Sequence, residues 1–110
     1  MKLNYTQTQK LMKNWDSSND SLHCNAEIRV YDPASSFQCY IIAMYPEDEN
    51  TIYCILQTNK CSQAVATLHT VFALDAMYNE NGEGLEIDTE YRPRQASEIL
   101  KRLNAVEYAS

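Results

Sequence analysis

The sequence predicts a single α+β domain, in which an antiparallel β-meander is packed on one face by N-terminal and C-terminal helices. The chain has 110 residues, which is enough for one compact core. Three consecutive segments in its middle alternate between two sets of side chains with a period of two, as half-buried strands do. Segments near both ends instead place apolar residues at helical spacing. We therefore expect residues 1–110 to form one α+β domain.

The first predicted element is a helix over residues 5–15. Leu11 and Trp15 are one helical turn apart, so the spacing places both on the same side. Thr6 followed by Gln9 fits the capping-box pattern, in which two side chains satisfy backbone N–H groups at the start of a helix. A polar, turn-forming segment then connects this helix to the sheet.

The β-meander is predicted over three segments that are joined by short turns. The predicted strands are residues 26–31, 37–44 and 52–57. The turn-rich sequences DPAS and PEDEN lie between them and suit antiparallel neighbours. The alternation places Tyr31, Tyr40 and Tyr53 on one face of the sheet and groups them with Ile42, Met44 and Ile55.

The C-terminal half has a less regular pattern. Residues 62–79 fit either a helix or a strand followed by a short helix, and the sequence leaves both open. Residues 85–91 alternate like a strand with one solvated face. A last helix is predicted after Pro93, a residue suited to the first turn of a helix.

The charge balance narrows the classes of partner. The formal net charge is −6, from 15 acidic and 9 basic residues, and the basic residues are scattered along the chain. Proteins that bind nucleic acid gather Lys and Arg on one face, so we expect no direct contact with nucleic acid. Apolar runs stay far below the ~20 residues that span a bilayer, so we expect no membrane partner. An acidic surface favours a basic partner or serves solubility.

The cysteines and the start of the chain predict a reduced, metal-free protein. The first residues, MKLNYTQTQK, lack the apolar run of a secretory signal, which predicts a cytoplasmic location with reduced thiols. The cysteines are Cys24, Cys39, Cys54 and Cys61. They lack the close C-x2–4-C pairs of structural zinc sites, so we expect free thiols, no metal and no other cofactor.

Three stretches carry a resemblance to a known family. They are MKLNYTQTQKLMKNW, AEIRVYDPASSFQCYIIAMYPEDENTIYCIL, and GLEIDTEYRP with ASEIL. In them the chain resembles a bacterial family of small proteins, about 110 residues long, that are carried on plasmids, phages and other mobile elements and are classed as a domain of unknown function. The segment 58–72 departs from the family pattern. The resemblance implies a genomic setting and supplies no mechanism or catalytic residue.

The predicted partner-binding surface combines the tyrosine-bearing sheet face with acidic turns. Tyrosine and methionine are enriched at protein interfaces, and the acidic turns would meet a basic partner. The predicted contact residues are Tyr31, Tyr40, Tyr53, Met44, Glu47, Asp48, Glu49, Glu80 and Glu83. The pattern leaves open whether this face is bare or is covered by the last helix or by residues 62–79.

These observations favour a small non-catalytic protein-binding protein of the mobile-element type. Its partner would be another protein, of basic character, or a second copy in a homodimer, and counter-defence or host takeover is one concrete role. The chain has no G-x-S-x-G, P-loop or G-x-G-x-x-G motif. The alternatives are a small cytoplasmic enzyme of unknown reaction and a self-associating structural protein. The enzyme question stays open at this point, with a non-catalytic function favoured.

Overall fold

The computed structural model describes residues 3–15, 21–58, 63–77 and 85–108. Within these ranges the chain forms three helices and seven strands. The helices are α1 (Tyr5–Asn14), α2 (Val71–Met77) and α3 (Ala96–Tyr108). The strands are β1 (Asn25–Ala26), β2 (Ile28–Tyr31), β3 (Gln38–Met44), β4 (Thr51–Gln57), β5 (Val65–Thr70), β6 (Glu86–Ile87) and β7 (Arg94–Gln95). The predicted α+β class with terminal helices is confirmed.

The main sheet is an antiparallel meander with one additional strand. Its order is β5-β4-β3-β2-β6, so β2, β3 and β4 are sequential neighbours, as the alternation predicts, and β5 continues the meander beyond β4. The chain then crosses to the other edge, where β6 pairs with β2. The segment 62–79 follows the strand-plus-short-helix alternative in its described part. The predicted first strand is divided, because β1 pairs with β7 in a separate two-stranded sheet.

A β-bulge interrupts the alternation in β3. Ile41 pairs with Cys54 and Ala43 with Tyr53, so Ile42 is the extra residue. Ile42 and Ala43 therefore both belong to one hydrophobic cluster, and Met44 is turned to the other. The grouping of Met44 with the tyrosines was wrong for this reason: its side chain is 3% exposed and packs in the opposite cluster, so it is not part of a binding surface.

Two hydrophobic clusters lie on opposite faces of the sheet. The first contains Leu11 of α1 with Ile28 and Ile41, and the second contains Ile99 of α3 with Ile55. The prediction that both terminal helices pack on one face does not hold in this detail. The central strands carry apolar side chains on both faces, and each face has to be covered to leave water.

The start of α1 is capped by Asn4 rather than by Thr6. The Asn4 side chain accepts a hydrogen bond from the backbone N–H of Gln7 (2.8 Å), and the Gln7 side chain accepts one from the backbone N–H of Asn4 (3.0 Å). This reciprocal pair is a capping box. It begins two residues before the Thr6–Gln9 box that the sequence predicts, because Thr6 is already inside the helix.

Replacement of the cap tests this assignment. We expect Asn4→Ala to lower the free energy of unfolding by about 1 kcal/mol, because the first turn loses its side-chain acceptor. Thr6→Ala should leave stability unchanged or raise it slightly, since alanine has the higher helix propensity. Urea denaturation followed by circular dichroism measures both variants, and a larger loss in Thr6→Ala would contradict the assignment.

Candidate functional site

The strand register places the three predicted tyrosines of the sheet on one face. Tyr31 pairs with Gln38, Tyr40 pairs with Arg29 in β2 and with Ile55 in β4, and Tyr53 pairs with Ala43. Directly opposed residues point to the same side of a sheet. This side is opposite the cluster of Ile28, Ile41 and Cys54, which agrees with the predicted alternation.

Helix α3 covers one half of this face. Ala96 and Ile99 of α3 are buried with the apolar residues of β3 and β4, and Tyr40 and Tyr53 are partly buried beside them. The beginning of α3 is fixed by its Ala96 N–H, which donates to the Cys24 carbonyl at 2.9 Å. The sequence left open whether the tyrosine-bearing face is bare or covered. The half of the face that carries Tyr53 is covered.

The end of α3 is fixed by a second, side-chain contact. The Asn104 side chain accepts a hydrogen bond from the Ala64 N–H (2.8 Å) and donates one to the Ala64 carbonyl (3.3 Å). An amide side chain that pairs with both backbone groups of one residue fixes register as well as distance. Helix α3 is thereby held across the sheet by a backbone hydrogen bond at its start and by the Asn104 side chain near its end.

No helix of the described residues packs on the other half of the face, which is partly exposed and centres on Arg29. We call its members the Arg29 cluster; they are Arg29, Tyr31, Gln38, Tyr40, Glu86 and Asp88. The Arg29 guanidinium donates from Nη1 to Asp88 Oδ2 at 3.0 Å and from Nε to Gln38 Oε1 at 3.1 Å. Its central carbon lies 5.0 Å from the Tyr31 ring centroid and 5.9 Å from that of Tyr40. One cation is thus held by a carboxylate, an amide and two aromatic faces.

The phenol groups of the cluster are tied to their neighbours. The Tyr31 hydroxyl donates to Glu86 Oε2 at 3.1 Å, and this hydrogen bond, together with the negative charge of Glu86, raises the pKa of Tyr31. The Tyr40 hydroxyl donates to Gln38 Oε1 at 3.0 Å, and Gln38 Nε2 donates to Gln57 Oε1 at 2.6 Å. The half-buried tyrosines are therefore held by two sets of hydrogen bonds, one that is centred on Gln38 and one between Tyr31 and Glu86.

Tyr91 links the half around Arg29 to the covered half. Its ring meets the Tyr40 ring edge to face at a centroid distance of 5.6 Å, and its hydroxyl donates to the Ala26 carbonyl at 2.6 Å. Burial raises the pKa of Tyr91 to about 12, because a phenolate is costly away from water. The hydroxyl is thus a structural donor that stays protonated at neutral pH.

A shallow cleft opens beside the Arg29 cluster. It has a volume of about 160 Å³ and is lined by Arg29, Tyr31 and Gln38 with residues of the β2–β3 turn, among them Asp32. A larger cleft of about 490 Å³ lies between Leu22 and α3. The smaller cleft combines aromatic, cationic and anionic groups at one edge of the half around Arg29.

The acidic turn between β3 and β4 lies at the opposite end of the sheet. Glu47, Asp48 and Glu49 are exposed there, but β3 separates them from Tyr31 by about 20 Å, given its length and the rise of a strand. Asp48 is a structural residue, because it accepts from the Asn50 N–H (3.0 Å) and from the Thr51 hydroxyl (2.8 Å). The structure does not join this turn and Tyr31 into one patch.

Two further predicted contact residues, Glu80 and Glu83, lie outside the described residues. Four members of the cluster were missing from the predicted contact residues: Arg29, Gln38, Glu86 and Asp88. A signal for three of them exists: Arg29 and Tyr31, and likewise Glu86 and Asp88, are two residues apart in alternating segments, so each pair shares a face. The contact between the two pairs could not be predicted from the sequence, because it joins β2 to a strand from the far end of the chain.

Two of the cysteines contribute to the core rather than to this surface. Cys39 and Cys54 are buried, and both are free thiols. The side-chain hydrogen bond between Cys39 and Cys54, together with burial, raises the pKa of Cys39 well above its usual value. A thiol that stays protonated is a poor nucleophile and a poor metal ligand. Cys61 lies outside the described residues.

The described residues offer no group of three or more His, Cys, Asp or Glu side chains arranged to hold a metal ion. A search of the same residues finds no helix with the length and apolar character needed to cross a membrane. No family model, no curated protein and no solved structure matches the chain. The resemblance to the mobile-element family therefore stays a prediction.

The Tyr91 hydroxyl generates a stability prediction with a pH dependence. We expect Tyr91→Phe to lower the free energy of unfolding by about 1–2 kcal/mol at pH 7, because the buried Ala26 carbonyl loses its donor. The folded pKa is raised to about 12 from an unfolded value of 10.0. The unfolded chain therefore binds fewer protons between these pH values, and the wild-type advantage should shrink as pH rises through the window.

Urea denaturation of both proteins at neutral and alkaline pH measures this difference. Tyr5→Phe is the control, because Tyr5 is exposed on α1 and its replacement should change stability little at either pH. An advantage over Tyr91→Phe that stays constant across the alkaline window would contradict the assigned role of the hydroxyl.

Proposed function

We propose that the protein is a non-catalytic binding protein whose Arg29 cluster docks on a basic surface of another protein, in the cytoplasm. The observation that carries this proposal is the partly exposed, hydrogen-bonded array of Tyr31, Arg29 and Tyr40 beside the acidic groups of β6 and the residue that follows it. Tyrosine and arginine are the side chains that most often anchor protein interfaces.

The order of the cluster supports a binding role. Each of its side chains makes at least one hydrogen bond or ion pair within the cluster, so docking would immobilise few additional rotamers. The entropy lost at an interface is a main opposing cost of association. A surface that is already ordered in the free protein therefore loses less conformational entropy when it binds.

The charge of the surface supports a basic partner. Asp32, Glu86 and Asp88 surround the single guanidinium of Arg29, which leaves an excess of negative charge there, and the whole chain has a net charge of −6. A field of one sign accelerates encounter with a partner of the opposite sign. The acidic turn at residues 47–49 would add to this steering without belonging to the same contact.

The chemistry of the described groups supports binding more than catalysis. The Tyr31 phenol has a raised pKa, which keeps it protonated at neutral pH, so it supplies no phenolate to act as a base or a nucleophile. Arg29 is committed to an ion pair, and the thiol of Cys39 is buried and protonated. These groups suit recognition by hydrogen bonding and aromatic contact.

The family resemblance suggests a setting for this binding. In proteins of plasmids and phages, an acidic surface could occupy a host surface that normally grips nucleic acid. Counter-defence or host takeover of this kind is the concrete form of the proposal. It requires that association weaken as salt is added, because the attraction between exposed charges is screened.

A matched pair of charge reversals tests the proposal. Glu86 holds the Tyr31 hydroxyl in the cluster, whereas Glu98 is exposed in the first turn of α3, and replacing either by lysine changes the net charge equally. Immobilised wild type, Glu86→Lys and Glu98→Lys are each used to capture protein from a bacterial lysate. We expect a protein that wild type and Glu98→Lys retain and that Glu86→Lys loses.

The captured protein is then purified and titrated against each variant at several salt concentrations. Tyr31→Ala should weaken its binding by about tenfold or more, the usual effect of truncating an aromatic anchor, and added salt should weaken wild-type binding. Equal retention by both lysine variants, affinity that is independent of salt, or no retained protein at all would each contradict the proposal.

A further inference from the structure

The outer edge of β5 has no neighbouring strand among the described residues and lies beside exposed apolar side chains. Among the described residues no strand lies beyond β5. Val65 and Leu68 of β5 are 59% and 48% exposed, and Phe72 at the start of α2 is 77% exposed. An exposed strand edge presents backbone donors and acceptors that can pair with another strand.

The hydrogen bonds of β4 determine which backbone groups point outward. The Thr51 carbonyl accepts from the Tyr45 N–H at 2.9 Å, so Thr51 directs its backbone groups toward β3. Backbone direction alternates along a strand, and the Asn50 carbonyl, which accepts from the Val71 N–H at 2.9 Å, follows the same alternation on the β5 side. The even-numbered residues of β4 therefore bond to β5.

The register extends this alternation to β5 itself. The partners of the even-numbered β4 residues are Val65, Thr67 and His69, which consequently bond inward. Ala66, Leu68 and Thr70 direct their N–H and C=O groups away from the sheet. Local side chains take two of these groups: the Thr67 hydroxyl donates to the Leu68 carbonyl at 3.3 Å, and the Thr70 N–H donates to His69 Nδ1 at 2.9 Å.

The described residues of β5 and their immediate neighbours carry no charged side chain and no proline that would hinder pairing. Monomeric proteins guard exposed edges with lysine, proline or inward-pointing charges. Residues 63–74 contain no Lys, Arg, Asp, Glu, Pro or Gly. In a protein with a net charge of −6, this uncharged strand is a surface at which two copies can approach without placing like charges in contact.

We infer that β5 pairs with β5 of a second copy, antiparallel and about a twofold axis at Leu68, so that two sheets become one. In this register Leu68 faces its own copy and Ala66 faces Thr70, so the residues that exchange hydrogen bonds across the axis are those with outward backbone groups. The Thr70 N–H then exchanges its local acceptor, His69 Nδ1, for the carbonyl of Ala66 in the second copy. The surface is self-complementary, as a twofold interface requires. The two Leu68 side chains meet on the same face as a cross-strand pair.

A second copy fits this edge better than an extended peptide. Each β5 is already ordered by its pairing with β4, so the association orders no new backbone. A disordered peptide would lose conformational entropy for every residue that it adds to the sheet. The inference does not rest on the proposed function, because the Arg29 cluster lies at the other edge of the sheet and stays free in the dimer.

Charge substitutions at the axis provide the test. Sedimentation equilibrium of the full chain over a dilution series should show a reversible monomer–dimer equilibrium. Leu68→Lys and Leu68→Glu each place like charges opposite one another at the axis and remove two apolar contacts, so each should weaken dimerisation by at least about 100-fold. An equimolar mixture of the two variants should dimerise again, because only the mixed pair joins opposite charges.

Tyr5→Lys is the matched control, because it also replaces an exposed apolar side chain by lysine, on α1 rather than on β5. It should dimerise like wild type. Amide hydrogen exchange gives an independent readout of the backbone: the N–H groups of Ala66 and Leu68 should gain protection as the protein concentration rises. Those of Thr67 and His69, which bond inward, should be protected at every concentration.

Several results would overturn the inference. A wild type that stays monomeric at the highest concentration would do so, as would a Leu68→Lys variant that dimerises like Tyr5→Lys. Failure of the lysine and glutamate variants to associate when mixed would place the contact away from a twofold axis at Leu68. Unchanged exchange at Ala66 and Leu68 in a protein that does dimerise would assign the interface to another surface.

Discussion

The β-bulge in β3 and its contact with α1 set the arrangement of the whole molecule. The bulge lets Ile42 and Ala43 point toward α3 while Met44 turns to the other cluster. The Ile42 carbonyl accepts a hydrogen bond from the Asn14 side chain at 3.0 Å, and the same side-chain nitrogen donates to the Asn25 carbonyl at 3.2 Å. One amide thereby joins the end of α1 to the bulge and to β1, which satisfies backbone groups at the irregular position.

The location of the candidate binding surface follows from this constraint. Because both faces of the central strands are apolar, α1 and α2 contribute to one cluster and α3 to the other. Helix α3 covers only the part of the tyrosine-bearing face that is near the bulge. No helix of the described residues packs on the part near Gln38, and hydrogen bonds hold its polar and aromatic groups in place. The exposure of this part and its reliance on hydrogen bonds therefore both follow from the position of α3.

Local patterns predicted the strands, their antiparallel order and the face shared by Tyr31, Tyr40 and Tyr53, because each depends on alternation within short segments. The bulge escaped prediction, since the apolar run around Ile42 contains no glycine or proline that would mark an inserted residue. Because the bulge was not predicted, Met44 was assigned to the wrong side of the sheet. Arg29 escaped for a different reason: its partner Asp88 comes from a distant strand, and single-sequence patterns carry no information about such pairings.

The most direct test of this arrangement is the set of nuclear Overhauser contacts of the Met44 methyl group. The account predicts contacts from this methyl to members of the cluster that contains Leu11 and Leu74, and contacts from Ile42 to the cluster that contains Ile99. Contacts between Met44 and Ile99 would show a regular strand without the bulge. They would contradict the opposite placement of the two terminal helices and, with it, the division of the tyrosine-bearing face.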